Sequence, residues 1–498
     1  MKRTFLMLGI AVMAAAAPEA LAAKPIITHG VMSAEVTSSE ALVWSRADQP
    51  AKMLVSLLSA QERDNAAIEV DAATDFTGSA HFVGLQADTE YRYRVRFENA
   101  SGERSQVKTG FFRTAPAPMA SVPVKLSWTG DIAGQNVCRD AAEGFPIFKA
   151  LAAERSDLFI GLGDMIYADN TCEAKGQYGN TQVPGDFLQA ADLDNFRRHW
   201  RYNRDDRYFQ RLIRSTPYYG VWDDHEVVND FGPLHDTRST PPYVAGVSLL
   251  PIGLQTFLEY TPMRIDPNTP HRLYRTVGWG RHAELFFLDN RQYRDHNLSA
   301  DRKGRNKTML GREQLKWLKA QLKASQATWK IIVSSVPMSI PTGSPLDQGR
   351  DGFANNDANT APTIDGGLQS ETGFEQELVE ILRTLQAGDM NAVFITTDVH
   401  FAEVFRYTPF ANDPDFQVHE VVIGPGNAGI FPNRAFDTSL GTESLFFHGP
   451  ESAATVTSWD EALKWFNYGT IEIDGKGHFV TRVKDTFRKT LYSLELTP

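Results

Sequence analysis

The chain has 498 residues, enough for two to four domains with sizeable buried cores. Hydrophobic residues make up 42%, aromatics 11% and charged residues 22%, a globular balance that excludes a mostly disordered chain. Lys and Arg number 50 against 61 Asp and Glu, a formal charge of −11. The broad cationic footprint of a non-specific nucleic-acid binder is therefore missing, and no stable nucleic-acid partner is expected. Surplus carboxylates suit bound cations better than bound polyanions.

Lys2 and Arg3 precede an apolar run from Phe5 to Ala17, and Ala20-Leu21-Ala22 supplies a small-x-small cleavage site. This pattern predicts a signal peptide over residues 1–23 and a periplasmic or secreted mature protein. The run falls short of the ~20 apolar residues that a spanning helix needs, so no transmembrane anchor is expected. Cys138 and Cys172 are the two cysteines. An oxidising compartment allows a disulfide between them, favoured because both lie just downstream of candidate ligand loops; two unpaired thiols are the alternative. Two cysteines are too few for a structural zinc site.

Residues 24–118 read as short β-strands. In Tyr91–Phe97, aromatic or branched residues alternate with Arg92, Arg94 and Arg96, a half-buried strand with its arginines in solvent. The approach from Leu85 to Tyr91 resembles the tyrosine corner of fibronectin type III-like sandwiches. Thr114-Ala-Pro-Ala-Pro118 then reads as a linker.

From 119 to 498 the rhythm changes to strand–helix alternation. Strand-like runs end abruptly in polar clusters: Val124–Trp128 before Gly130-Asp131, Leu158–Leu162 before Gly163-Asp164, and Tyr218–Trp222 before Asp223-Asp224-His225-Glu226. Ala283–Leu288 precedes Asp289, and Ala392–Thr396 precedes Asp398. Leu315, Leu318 and Leu322 mark one face of a helix over Glu313–Ala324, followed by a strand at Trp329–Val333. Residues 342–370, rich in Gly, Asp, Asn and Pro, read as a long surface loop. The pattern predicts an α/β sheet with functional groups along one edge.

Each strand-end Asp taken singly is compatible with a turn or a helix cap. Asp131, Asp164, Asp224 and Asp398 together, with His225 and His400 beside two of them, are better explained by a metal cluster. Carboxylates converging on one edge repel unless cations bind between them. The ordered motifs Gly130-Asp131, Gly163-Asp-Met-Ile-Tyr167, Trp222-Asp-Asp-His-Glu-Val-Val-Asn229, Leu288-Asp-Asn-Arg-Gln-Tyr-Arg294 and Thr397-Asp-Val-His400 resemble the PhoD-like alkaline phosphatase and phosphodiesterase family, within the calcineurin-like metallophosphoesterases. Asn195–Tyr202 resembles it as well.

The resemblance implies a four-layer α/β/β/α domain preceded by a fibronectin type III-like β-sandwich. It implies a dinuclear metal centre on Asp131, Asp164, Tyr167, Asp224, Asp398 and His400, with Asp164 bridging and the Tyr167 phenolate favouring Fe3+. The second ion would be Ca2+, with Zn2+ or Mn2+ as alternatives. Some family members carry Cys where this chain has Asp131. His225 would serve the leaving oxygen as catalytic acid, and Asn229 and Arg291 would bind the phosphate mono- or diester substrate. The plainer readings are a hydrogen bond from His225 to Asp224, a loop hydrogen bond for Asn229, and ion pairs of Arg291 with Asp289 or Asp295. His419 and Asn427 are further candidates from the last loop, whereas Arg197, Arg198 and His199 read as a solvated helix face. The expected protein is a monomeric, exported phosphate-ester hydrolase, with a phospholipase D-like phosphodiesterase as the alternative. A non-catalytic binding protein that uses its sandwich is the reading from a different class.

Overall fold

The computed structural model describes residues 23–59, 63–232, 246–301, 304, 307–342, 349–355, 372–432 and 436–498. Nearly all of the expected signal peptide, and most of the 342–370 loop, lie outside these residues. No helix among the described residues is long and apolar enough to cross a membrane.

In chain order the first strands are β1 (Ile27–Ala34), β2 (Glu40–Ala47), β3 (Ala51–Leu58), β4 (Arg63–Val70), β5 (Thr77–Val83), β6 (Glu90–Glu98) and β7 (Lys108–Arg113). The next elements are β8 (Val124–Thr129), α1 (Pro146–Glu154), β9 (Leu158–Leu162), α2 (Leu193–Arg204), α3 (Arg207–Ile213), β10 (Tyr218–Val221) and α4 (Gly246–Tyr260). Then come β11 (Arg275–Trp279), β12 (Ala283–Phe287), α5 (Gly311–Ala324), β13 (Trp329–Val333), α6 (Glu375–Ala387) and β14 (Ala392–Thr396). The chain closes with β15 (Ala402–Tyr407), β16 (Val418–Val422), β17 (Thr442–His448), α7 (Trp459–Ala462), β18 (Asn467–Ile473), β19 (Phe479–Asp485) and β20 (Thr490–Leu496).

The N-terminal sandwich packs β1, β2 and β5 against a four-stranded sheet of order β4-β3-β6-β7. Tyr91, Tyr93, Val95 and Phe97 of β6 all enter its core, while Arg92 and Arg94 are exposed, as the alternation requires. The Tyr91 hydroxyl accepts the amide of Gln86 (2.9 Å), which closes the tyrosine corner. Thr114–Pro118 falls in the irregular stretch between β7 and β8.

The sandwich is not an isolated bead. β1 pairs in parallel with β10 at Ala34 and Tyr218, so β1-β2-β5 extends one nine-stranded sheet of order β20-β19-β18-β8-β9-β10-β1-β2-β5. A seven-stranded sheet, β11-β12-β13-β14-β16-β15-β17, lies opposite. The two sheets share a dry layer that includes Trp128, Ile160, Leu285, Ile331 and Val421. Helices α1 to α4 pack on the outer face of the first sheet, and α5 and α6 cover the second. These are the four layers the motifs implied. Strands β8, β9, β12, β13 and β14 are buried at every position or all but one, which is why they read as continuous apolar runs rather than alternating ones.

Candidate metal and phosphate site

β8, β9 and β10 run parallel, so their carboxyl ends, which carry Asp131, Asp164 and Asp223-Asp224, emerge on the same edge. β14 delivers Asp398 from the opposing sheet, and Thr397 Oγ1 donates to Asp131 Oδ2 (2.7 Å) across the gap. The backbone bends sharply at these points. Asp131, Asp164, Asp398 and His400 all have left-handed φ, between 50° and 83°. Side chains other than glycine pay for that conformation, and such strain concentrates at functional sites. Asp289, which also follows a strand, caps its own turn and anchors Trp222: it accepts the amides of Arg291 and Gln292 (3.1 Å each) and the indole N–H of Trp222 (2.9 Å).

Two groups of ligand-type atoms form around the edge, each within 4.8 Å: Asp164, Asp224 and His225, and then Asp223, Asp224 and Asp398. Asp224, Asp230 and Asp351 form a third. Burial together with neighbouring carboxylates, chiefly Asp223 and Asp224, lifts Asp131 to about 8 and raises Asp164 and Asp398 as well. Asp131 Oδ1, Asp223 Oδ2 and Asp224 Oδ1 are buried without a hydrogen-bond partner among the described residues. Native interiors rarely leave carboxylate oxygens in that state. The donor set is therefore short of positive charge and rich in hard oxygens, which fits bound cations. The Tyr167 hydroxyl meets His400 Nε2 (2.7 Å), and His400 Nε2 lies 3.8 Å from Asp131 Oδ1. These three expected ligands thus adjoin one another.

His225 is buried, with its ring stacked on Tyr167 at 4.0 Å between centroids. Burial pushes its pKa down, but Asp169 and Asp224 overcome this and raise it to about 10. The Nδ1–Asp169 Oδ1 distance is 2.7 Å, and Asp169 Oδ2 accepts the Asn229 amide (2.9 Å). The His225 imidazole is thus held by Asp169, while its amide, not its ring, donates to Asp164 Oδ1 (3.1 Å).

Arg291 is fully buried and spends most of its fork inside the protein. Nε donates to Asp223 and Nη1 to Asp351, neither of them the Asp289 or Asp295 weighed from the sequence. Its Nη2 has no hydrogen-bond partner among the described residues and lies 3.6 Å from Asp224 and 3.8 Å from Asp398. Arg294 grips the same Asp351.

Asn427 does reach the site's first loop, for its amide donates to the Asp131 carbonyl (3.0 Å) and its carbonyl accepts from Ala133. His419 does not, because it sits near the start of β16, paired in register with Val393 and Arg406, away from the strand's carboxyl end. Arg197 departs from the solvated reading: it forms a bidentate pair with Glu259 and bonds the Ala72 and Ala73 carbonyls of the sandwich. His199 is buried against Phe187, also contrary to that reading. Cys138 and Cys172 are joined in a disulfide with Cα atoms 5.8 Å apart, which ties the loop after Asp131 to the one after Tyr167.

Sequence reasoning did not single out Asp169, Asp223, Asp351 or Glu226. Asp223 and Glu226 stood inside a quoted motif, and Asp169 lies two residues past Tyr167. Asp351 lies in a Gly- and Asp-rich stretch that gives no local sign of burial.

A family model described as "PhoD-like phosphatase" matches residues 126–482, and one described as "PhoD-like phosphatase, N-terminal domain" matches residues 13–116. The chain is 29% identical over 332 residues to "Alkaline phosphatase D" of Bacillus subtilis (strain 168), an alignment covering 64% of this chain and 52% of that protein. The chain thus spans about half the length of the curated relative it matches. Among solved structures, one described as "Structure of PhoD" superposes with a TM-score of 0.72 at 18% identity, covering 96% of this chain and 94% of that one. The purple acid phosphatase PPD1 from yellow lupin (Lupinus luteus) seeds superposes with a TM-score of 0.59 at 12% identity, covering 95% and 74%. These two likenesses bear on the fold.

Proposed function

This chain belongs to the PhoD-like phosphatase family, and on that premise we propose that it is an exported, metal-dependent hydrolase of phosphate esters, an alkaline phosphatase that also accepts diesters. The observation carrying this reading is the convergence of strand-end carboxylates, three of which (Asp131, Asp223 and Asp224) each keep one buried oxygen without a hydrogen-bond partner among the described residues. Asp131, Asp164, Tyr167, Asp224, Asp398 and His400 would hold a dinuclear centre, with Fe3+ beside Tyr167 and Ca2+ as the second ion. Two such cations supply Lewis acidity, which makes water a competent nucleophile near neutral pH and offsets charge on the phosphate.

The protein's own groups do the rest. In an in-line displacement, an oxygen of water bonds to phosphorus as the opposite ester P–O bond breaks, and the departing oxygen needs a proton. With Nδ1 committed to Asp169, His225 presents Nε2 as the proton donor to that oxygen, and a proton from the attacking water later restores it. Asp169 fixes the tautomer and ring plane. Asn229, whose amide is tied to the same Asp169, would orient a phosphate oxygen. Arg291 would act in part through the carboxylates it faces, with Nη2 left for phosphate charge.

The test is hydrolysis of an aryl phosphate diester beside the matching monoester, with Ca2+ and Fe3+ supplied at mildly alkaline pH. Faster diester cleavage makes the protein chiefly a phosphodiesterase. Faster monoester cleavage makes it a phosphate-releasing phosphatase, and the absence of hydrolysis of either ester overturns the proposal.

A further inference from the structure

Glu226 is completely buried and makes no ion pair among the described residues. Its two oxygens instead collect backbone amides from two different strand ends. Oε2 accepts from Asp164 N (3.0 Å) and Asp223 N (2.7 Å), and Oε1 accepts from Met165 N (2.7 Å). The clasp is reciprocal, because the amide of neighbouring His225 donates back to Asp164 Oδ1 (3.1 Å). Contact between the two loops is otherwise close. Gly163 has φ +88°, and a Cβ there would lie 2.7 Å from that of Asp223.

Placing one more carboxylate beside Asp164, Asp223 and Asp224 is a poor way to gain stability. Desolvation and like-charge repulsion both oppose it, and an apolar residue of similar volume costs less. What an apolar residue cannot do is accept three amide hydrogens at once, for which a carboxylate has about four lone-pair sites. We propose that Glu226 is a positioning residue, which locks the loop bearing Asp164 to the loop bearing Asp224 and so sets how tightly the site holds its calcium-type cation. This inference rests on the metal-dependent reading above.

The experiment is titration of the metal-stripped full chain with Tb3+, an oxygen-seeking probe for calcium-type sites whose luminescence nearby Tyr167 and Trp222 can sensitise. Glu226→Gln keeps the volume but offers one acceptor oxygen and turns an N–H2 toward backbone donors. Glu226→Met removes the charge as well. Both variants are expected to bind Tb3+ about 10–100-fold more weakly, the scale seen when a group orienting a ligand is lost. Excess Ca2+ should restore kcat to within several-fold with KM unchanged. Equal Tb3+ affinity in folded Glu226→Gln and the unsubstituted chain overturns the inference. So does failure of both variants to fold, which makes Glu226 a requirement for folding instead. An unsubstituted chain that binds no Tb3+ or Ca2+ sinks the metal reading itself, a result separable from the first two.

Discussion

Two buried clusters of this molecule solve the problem of interior carboxylates in opposite ways. At the seam between the sandwich and α2, Asp75 is surrounded by its own cations: Arg46 Nε and Nη2 at 3.2 and 2.8 Å, Arg201 Nη1 at 2.9 and 3.0 Å, and the Tyr260 hydroxyl. Burial alone raises its pKa, but Arg46, Tyr260 and Arg201 hold it below the usual carboxylate range. At the strand edge, Asp223, Asp224 and Asp398 face one arginine, Arg291, while Asp131, Asp164, Asp223 and Asp398 are pushed upward by burial and by neighbouring carboxylates. The first cluster is complete within the chain, and the second asks for charge from outside. Their supports differ in the same sense. Charge holds Asp75, whereas a disulfide and a clasp of amides hold the loops of the edge.

The strongest cut through that contrast is Asp164→Asn. Activity should fall about 10³-fold or more, as when one member of a unit is removed. Metal content measured by elemental analysis should fall with it, while the urea midpoint of the metal-stripped protein stays level or rises, because a repelling charge has gone. A midpoint that drops sharply would mean that Asp164 is already satisfied within the chain, like Asp75. The mirror experiment is Asp75→Asn. Here Arg46 and Arg201 are left facing a neutral partner in the interior, and the expected loss is about 3–5 kcal/mol by urea titration. Activity per folded molecule should be unchanged. Loss of activity without loss of stability would make the seam part of the site.

Next in size is the staple. Replacing Cys138 and Cys172 together by Ser frees a loop of sequence separation 34, and the chain-entropy argument puts the cost at about 3–4 kcal/mol. Because the bond ties the Asp131 loop to the Tyr167 loop, the metal requirement for half-maximal activity should rise as well. An unchanged requirement would show that amides alone hold the edge.

How far the site was legible in the sequence follows the same division. Asp131, Asp164, Asp224 and Asp398 each follow an apolar strand, so local pattern was enough to find them, and parallel pairing brings three of them to one edge. The strand runs 158–162, 329–333 and 392–396 were readable to the residue, because fully buried strands that end in short polar residues leave sharp boundaries. What escaped were residues whose role is set by distant partners. Asp351 earns its burial from Arg291 and Arg294, some 57–60 positions earlier in the chain. Asp75 earns its own from Arg201 and Tyr260, on helices that the sequence places more than 100 positions away. Arg197, read as solvated, is claimed by Glu259 for the same reason. The continuation of the nine-stranded sheet into the sandwich through β1 and β10 likewise rests on a pairing with no local signature.

The smallest effect sharpens the contrast from a third position. Glu154, at the end of α1, has a side chain only 6% exposed and is saturated as Asp75 is: by Lys125 (2.8 Å), Lys484 and the Tyr468 hydroxyl (2.6 Å). Burial works against its charge, but Lys125 and Lys484 prevail and hold the pKa down to about 2, against an ordinary 4.5. A carboxyl depressed in the folded state contributes stability that is complete above pH 4.5 and is lost as the pH falls toward 2. Discounted for the partial exposure of its lysines, the contribution is about 1–2 kcal/mol. Glu154→Gln should therefore lower the unfolding free energy from urea titration at pH 7 by that amount, and the two proteins should converge as the pH is brought down to about 2. The edge carboxylates, raised rather than lowered, predict the reverse for the metal-stripped chain: protonating them on folding relieves repulsion, so that Asp164→Asn gains its advantage at pH 7 and loses it in acid. Two variants whose stability differences from the unsubstituted chain both shrink in acid, but from opposite signs, are what a satisfied and an unsatisfied carboxylate require. Parallel curves of the same sign would erase the distinction between the two clusters.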